Sequence, residues 1–147
     1  MFLGNYEHTI DNKGRMAVPS RFRGELGERM VLTRWVSKCL RLYPVAEFEK
    51  MSESISKLSE SDPRGLVIKR LFYSEAAEVE LDKQGRIMIP SRLRDVAGFN
   101  GDDAQVTVVG MNSYVELWSP ENWNQMQQEV EENAESYAAQ FASLGLI

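Results

Sequence analysis

Thirteen residues of this chain occur twice. DNKGRMAVPSRFR, Asp11 to Arg23, aligns without a gap with DKQGRIMIPSRLR, Asp82 to Arg94, at an offset of 71 residues. The identical positions are Asp11/Asp82, Gly14/Gly85, Arg15/Arg86, Pro19/Pro90, Ser20/Ser91, Arg21/Arg92 and Arg23/Arg94, and most of the others are conservative. The repetition continues downstream, where CLRLYPVAEFEKM from Cys39 aligns with YVELWSPENWNQM from Tyr114 at an offset of 75. Leu42/Leu117 and Met51/Met126 match there, and aromatics coincide at Tyr43/Trp118 and Phe48/Trp123. A period this long, with only two copies, does not suit a solenoid. It predicts two diverged halves related by a pseudo-twofold axis, residues 1–60 and 75–147, joined by a connecting helix over 61–74.

Each half has the same order of signals. YEHTID and AEVELD alternate as strands do. A turn follows at Gly14 or Gly85, where a residue tolerant of positive φ is required. RMAVP and RIMIP are short apolar strands. Pro19 and Pro90 suit the first turn of short helices, SRFRGEL and SRLRDVA, closed by Gly27 and Gly98. MVLTRWV with CLRLYP, and AQVTVVG with YVELWS, form hairpins. Val45, Phe48, Met51, Ile55 and Leu58 then fall at helical spacing, and Asp62-Pro63 opens the connecting helix. In the second half Ser119 caps, and one long amphipathic stripe is expected through Trp123, Met126, Val130, Tyr137, Phe141 and Leu144. The fold class is α+β, with small mixed or antiparallel sheets.

Composition matters mainly through charge. The formal net charge is −5, which argues against a nucleic-acid partner until the distribution is examined. All 17 Lys and Arg lie at or before Arg94, while the stretch from Asp95 onward carries only acidic charges. Each thirteen-residue segment holds one Asp against four basic residues, a local excess on an acidic chain. The lone Cys39 excludes an intrachain disulfide framework and fits a reducing cytoplasm. The N-terminus lacks the pattern of a signal peptide, and no apolar run is long enough to span a membrane.

In Asp-x-x-Gly-Arg, Asp11 or Asp82 can accept hydrogen bonds from the turn ahead of it, and the Gly supplies the turn. The Arg then sits across from the Asp. One reading is a purely structural Asp–Arg tie. The other is a pair of symmetry-related loops bringing Lys13, Arg15, Lys83 and Arg86 to one face. There a guanidinium fork can meet a phosphate, or guanine O6 and N7. Arg21 and Arg23, like Arg92 and Arg94, stand two apart on a short helix. The members of each pair therefore point to different faces, one toward nucleic acid and one solvated or paired with a Glu.

DNKGRMAVPSRFR, DKQGRIMIP, the opening MFLGNY and the ELWSPENW segment together resemble the MraZ family of bacterial transcriptional regulators, within the AbrB-like, swapped-hairpin group. The resemblance covers essentially the whole chain, and its paired loops about seventy residues apart are its specific part. It implies two tandem AbrB-like β-α-β halves forming one pseudo-twofold, barrel-like body with amphipathic helices. It also implies homo-oligomers joined edge to edge in a ring, and double-stranded DNA as partner. Short direct repeats upstream of the protein's own division and cell-wall gene cluster would be bound, usually in repression. Carried over, Lys13, Gly14 and Arg15 form one DNA-contacting loop and Lys83, Gly85 and Arg86 the other, with Arg21, Arg23, Arg92 and Arg94 as further contacts. Asp11 and Asp82 shape the loops. No cofactor, metal or membrane is implied, and the setting is the cytoplasm at the nucleoid. The acidic EVEENAES stretch departs from the rest and is read as a solvated helix face.

Other functions are less well supported by the residues. An enzyme would have to use Cys39 as nucleophile and His8 as base, but neither lies in a nucleophile motif. One His and one Cys provide no metal-ligand spacing, and neither Gly14 nor Gly85 belongs to a phosphate loop. A scaffold whose basic loops bind an acidic protein remains an alternative. So does an antitoxin-type regulator, although such chains usually supply one half plus a disordered tail.

Overall fold

A computed structural model describes residues 1–147. The first half contributes β1 (Asn5–Ile10), β2 (Arg15–Ala17), α1 (Ser20–Leu26), β3 (Arg29–Arg34), β4 (Leu40–Pro44) and α2 (Val45–Ser56). The connecting helix is α3 (Pro63–Ser74). The second half repeats the order with β5 (Ala77–Glu80), β6 (Arg86–Met88), α4 (Ser91–Ala97), β7 (Ala104–Gly110), β8 (Val115–Trp118) and α5 (Pro120–Glu132), and adds α6 (Ala134–Ser143).

All eight strands belong to one antiparallel sheet in the order β5-β3-β4-β8-β7-β1-β2-β6. The two end strands come into contact, so the sheet is a nearly closed barrel. Strand exchange between the halves explains why it is single: β1 pairs with β7, and the equivalent β5 pairs with β3. The pseudo-axis is visible in the register. Met16 pairs with Ile87 across β2·β6, and Arg41 pairs with Glu116 across β4·β8. In both pairs the partners are equivalent residues of the two copies.

Alternation then decides what is inside. Met16, Ile87, Leu40, Leu42, Val115 and Leu117 point inward and are buried with Phe2, Phe22, Leu32 and Leu93 in one 20-residue core. Removing that apolar surface from water is the main stabilising force, about 25 cal/mol per Å2. Gly110 admits the N-terminal segment to the barrel: a Cβ there would stand 2.5 Å from Leu3 N and Phe2 C. The outward residues of β4 and β8 start two smaller clusters. Tyr43 joins Ile55 and Phe72 beneath α2 and α3. Trp118 joins Cys39 and Val109, with Trp123 and Met126 of α5 against them.

One helical expectation is corrected. The C-terminal stripe does not form one continuous helix, because Asn133 (φ −117°, ψ 31°) interrupts it and donates from Nδ2 to Glu129 O at 2.8 Å. A short polar amide that bonds the backbone competes with the helical ladder at such a position. Beyond the break, Phe141 and Leu144 are exposed rather than packed on the barrel. No helix is long and apolar enough to cross a membrane.

Candidate nucleic-acid interface

The two repeated turns have the same hydrogen bonds. Asp11 Oδ1 accepts the backbone N–H groups of Lys13 and Arg15, both at 2.9 Å, and Oδ2 accepts Arg15 Nε at 2.8 Å. Asp82 does the same with Gln84 N, Arg86 N and Arg86 Nε, at 2.9, 2.9 and 2.8 Å. Gly14 and Gly85 take φ of 83° and 75°, and each donates its N–H to the carbonyl of its own loop's Asp at 3.0 Å. The backbone N–H groups of Arg15 and Arg86, followed by their guanidinium hydrogen bonds, hold the two carboxyls below the usual aspartate pKa. Hydrogen bonds to the charged form favour that form.

The Asp–Arg tie expected as one alternative is therefore present, but it engages only Nε of each arginine. The two terminal nitrogens of Arg15 and Arg86 remain available as a donor fork. Both side chains stay partly exposed, 29% and 28%. Lys13 and Lys83 are exposed at the loop tips, in nonequivalent positions: Lys13 aligns with Gln84, and Lys83 with Asn12.

Tertiary structure brings the two loops together. In the antiparallel β2·β6 ribbon Arg15 lies opposite Met88 and Arg86 opposite Ala17, so both arginines project from the outer face, on a diagonal about the axis. Met88, 49% exposed beside Arg15, is a residue that motif reasoning missed. The alternation of RIMIP, with Ile87 and Ile89 inward, was the available signal. The loops are also tied across the halves. Gly14 O accepts from Ile89 N at 2.8 Å, and Gly85 O accepts from Val18 N at 3.0 Å.

The helix arginines divide into two kinds. Arg21 is exposed, its Nη1 3.5 Å from the Tyr6 hydroxyl, and Arg92 is exposed while pairing with Glu75 at 3.3 Å. Arg23 and Arg94 are half-buried, and each guanidinium lies against the glycine of the other half's loop.

The residues considered for catalysis sit elsewhere. Cys39 is buried, with Sγ donating to Glu116 Oε2 at 3.6 Å. Burial and the Glu116 carboxylate push its thiol pKa far up. A thiol held protonated is a poor nucleophile. His8 is half-buried on β1 beside Ala17, and burial lowers its pKa. On the far side of the barrel, the Arg41 guanidinium is sandwiched between the rings of Trp35 and Tyr114, at 4.0 and 4.4 Å. Glu116 beneath it also accepts from Trp118 Nε1 at 3.0 Å.

Comparison with known proteins agrees with this architecture. The family described as "MraZ protein, putative antitoxin-like" matches the chain twice, over residues 1–70 and 72–144. The "Transcriptional regulator MraZ" of Thermomicrobium roseum is 44% identical over 144 residues, covering 98% of this chain and 99% of the relative. Proteins of the same name from Roseiflexus castenholzii (98% of this chain, 99% of the relative) and Halothermothrix orenii (99% and 100%) are 41% and 39% identical. Two successive matches and full-length identity of this order leave one assignment: the chain belongs to the MraZ family.

Proposed function

We propose that this protein is a sequence-specific, DNA-binding transcriptional regulator without catalytic activity. The observation that carries the reading is the β2·β6 ribbon, which presents two equivalent Asp-braced arginines with free terminal nitrogens, flanked by Lys13 and Lys83. B-DNA's major groove, about 12 Å wide, admits a two-stranded β-ribbon, and a guanidinium fork can bridge guanine O6 and N7 or a phosphate. The full-length relatives named as transcriptional regulators support the same reading.

In its finer form, Lys13, Arg15, Lys83 and Arg86 contact DNA over short direct repeats upstream of the protein's own gene. Arg21 and Arg92 flank them. The output is repression of a division and cell-wall gene cluster, at the nucleoid. Several copies assemble into a ring, which offsets the net charge of −5 by presenting many basic ribbons to successive repeats. Multivalency of that kind raises avidity by factors of ~100 to 10,000 without new contacts.

The test is a mobility-shift titration on the upstream region at several salt concentrations, with wild type and Arg15→Ala. Wild type should bind with steep salt dependence, each neutralised phosphate contributing about −0.9 to the log–log slope. Arg15→Ala binding as tightly as wild type at physiological salt would remove that loop from the interface.

A further inference from the structure

Arg23 and Arg94 each reach across the pseudo-axis. A Cβ built on Gly85 would stand 2.4, 2.5 and 2.7 Å from Arg23 Cζ, Nη1 and Nε. A Cβ on Gly14 would stand 3.0, 3.2 and 3.2 Å from Arg94 Cζ, Nε and Nη2. Three guanidinium atoms at nearly equal distance mean that the flat face of the group, not its edge, lies against the glycine. Glycine is favoured there by its positive φ, and its lack of a side chain leaves the guanidinium room to lie flat on the turn.

We propose that Arg23 and Arg94 are positioning residues, each bracing the DNA-contacting loop of the opposite half. This deepens the reading of the ribbon as a DNA interface and rests on it. Arg23 Nε donates to Val18 O at 2.9 Å, and Val18 N donates to Gly85 O at 3.0 Å. One residue of the first half thus anchors both the arginine and the second loop. At the other end Ile89 N holds Gly14 O at 2.8 Å, but Arg94 Nε is buried without a hydrogen-bond partner. The Arg23–Gly85 brace is therefore the closer and better anchored of the two. The consequence is that the repeats are not independent binding modules. Neither loop is fully supported by its own copy, so both halves are needed to present either arginine fork.

Amide hydrogen exchange on the full chain tests the brace without DNA. The amides of Gly85 and Arg86 are hydrogen-bonded inside their loop, as are those of Gly14 and Arg15. Arg23→Ala should speed exchange at Gly85 and Arg86 by about tenfold or more while leaving Gly14 and Arg15 near wild type, an opening confined to one local unit. Arg94→Ala should do the reverse, by a smaller factor. In each variant the untouched loop controls for global unfolding. Arg23→Lys keeps the charge but not the flat face and should behave like Arg23→Ala. A response in the same-half loop, no response in either loop, or full rescue by lysine overturns the proposal.

Binding to the direct-repeat duplex adds a second arm. Losses from Arg23→Ala and Arg86→Ala should be strongly non-additive, because they act through one loop, whereas Arg23→Ala and Arg15→Ala should add. Full additivity of Arg23→Ala with Arg86→Ala makes Arg23 a direct contact and overturns the bracing role. If wild type binds no duplex while the crossed exchange pattern holds, the brace stands and the DNA reading fails.

Discussion

The helices that follow β4 and β8 begin alike and end differently. In the first half Tyr43 meets Phe48 edge-on at 5.9 Å, and in the second the equivalent Trp118 meets Trp123 at 5.6 Å. Then they part. After α2 the chain folds back through α3, which stacks Phe72 on Phe48 at 5.0 Å and ties its carbonyl to Thr33 Oγ1 at 2.9 Å. Phe72 is fully buried. Beyond Met126, by contrast, α5 and α6 bury no residue. The difference shows how one repeated unit is put to two uses. In the first half the chain must return to the barrel to begin β5, and that return completes an apolar cluster. In the second, α5 and α6 do not return to the barrel, and an acidic helix with an apolar stripe stands off the body.

Substitutions in the two regions should separate them. The largest effect is expected at Phe72. Phe72→Ala should destabilise the protein by about 3–5 kcal/mol in urea denaturation, as large aromatic-to-alanine changes in packed cores do. Trp123→Ala, against the half-open cluster, should cost only about 1–2 kcal/mol. Equal costs would mean that the α5 packing is as complete as the α2–α3 packing. Next come the helix caps. Asp62 accepts Arg64 N at 2.9 Å at the start of α3, and Ser119 accepts Asn122 N at 3.2 Å at the start of α5. Ser119→Ala should cost about 1 kcal/mol by the same measurement, and Asp62→Ala should destabilise in the same direction, showing that the two appendages differ in packing and not in initiation.

Removing residues 134–147 should change the unfolding free energy little, by less than about 0.5 kcal/mol, since exposed positions rarely contribute more. If the stripe on α6 joins copies in the proposed ring, the same truncation should lower the mass in sedimentation. An unchanged mass would take α6 out of assembly. The smallest effect concerns the loops, which, unlike the helices, match. Asp11 and Asp82 both have folded pKa values below the ordinary 3.8. Their contribution is therefore complete above that value and is lost as pH falls through the lowered folded pKa. Once the slowing of intrinsic exchange at lower pH is divided out, the protection of the Arg15 and Arg86 amides should fall in parallel at the acidic end. Loosening of one loop alone would show that the equivalence ends at hydrogen-bond geometry.

Much of the fold was legible because the chain states it twice. Each strand, short helix and glycine turn in one copy had a counterpart at a fixed offset, so weak local signals reinforced each other. The stripe through Val130, Phe141 and Leu144 misled because periodicity reports an amphipathic face but not what covers it. The break at Asn133 came from a single side chain bonding the backbone, a cue too local to outweigh the period. At the candidate site the Asp-x-x-Gly-Arg spacing announced the loops, whereas Met88 was visible only through alternation.

Two copies of one unit, their strands and turns, and the local concentration of Lys and Arg in two loops are written in the order of the residues. Turn chemistry and residue period act over a few bonds, so they can be read from adjacent letters. Which strands exchange, β1 onto β7 and β5 onto β3, and that Arg15 and Arg86 stand on one ribbon with Arg23 and Arg94 beneath the opposite loops, came from the three-dimensional packing. Those pairings join residues about seventy positions apart. Their partners are set by which faces bury together, and no local pattern encodes that choice.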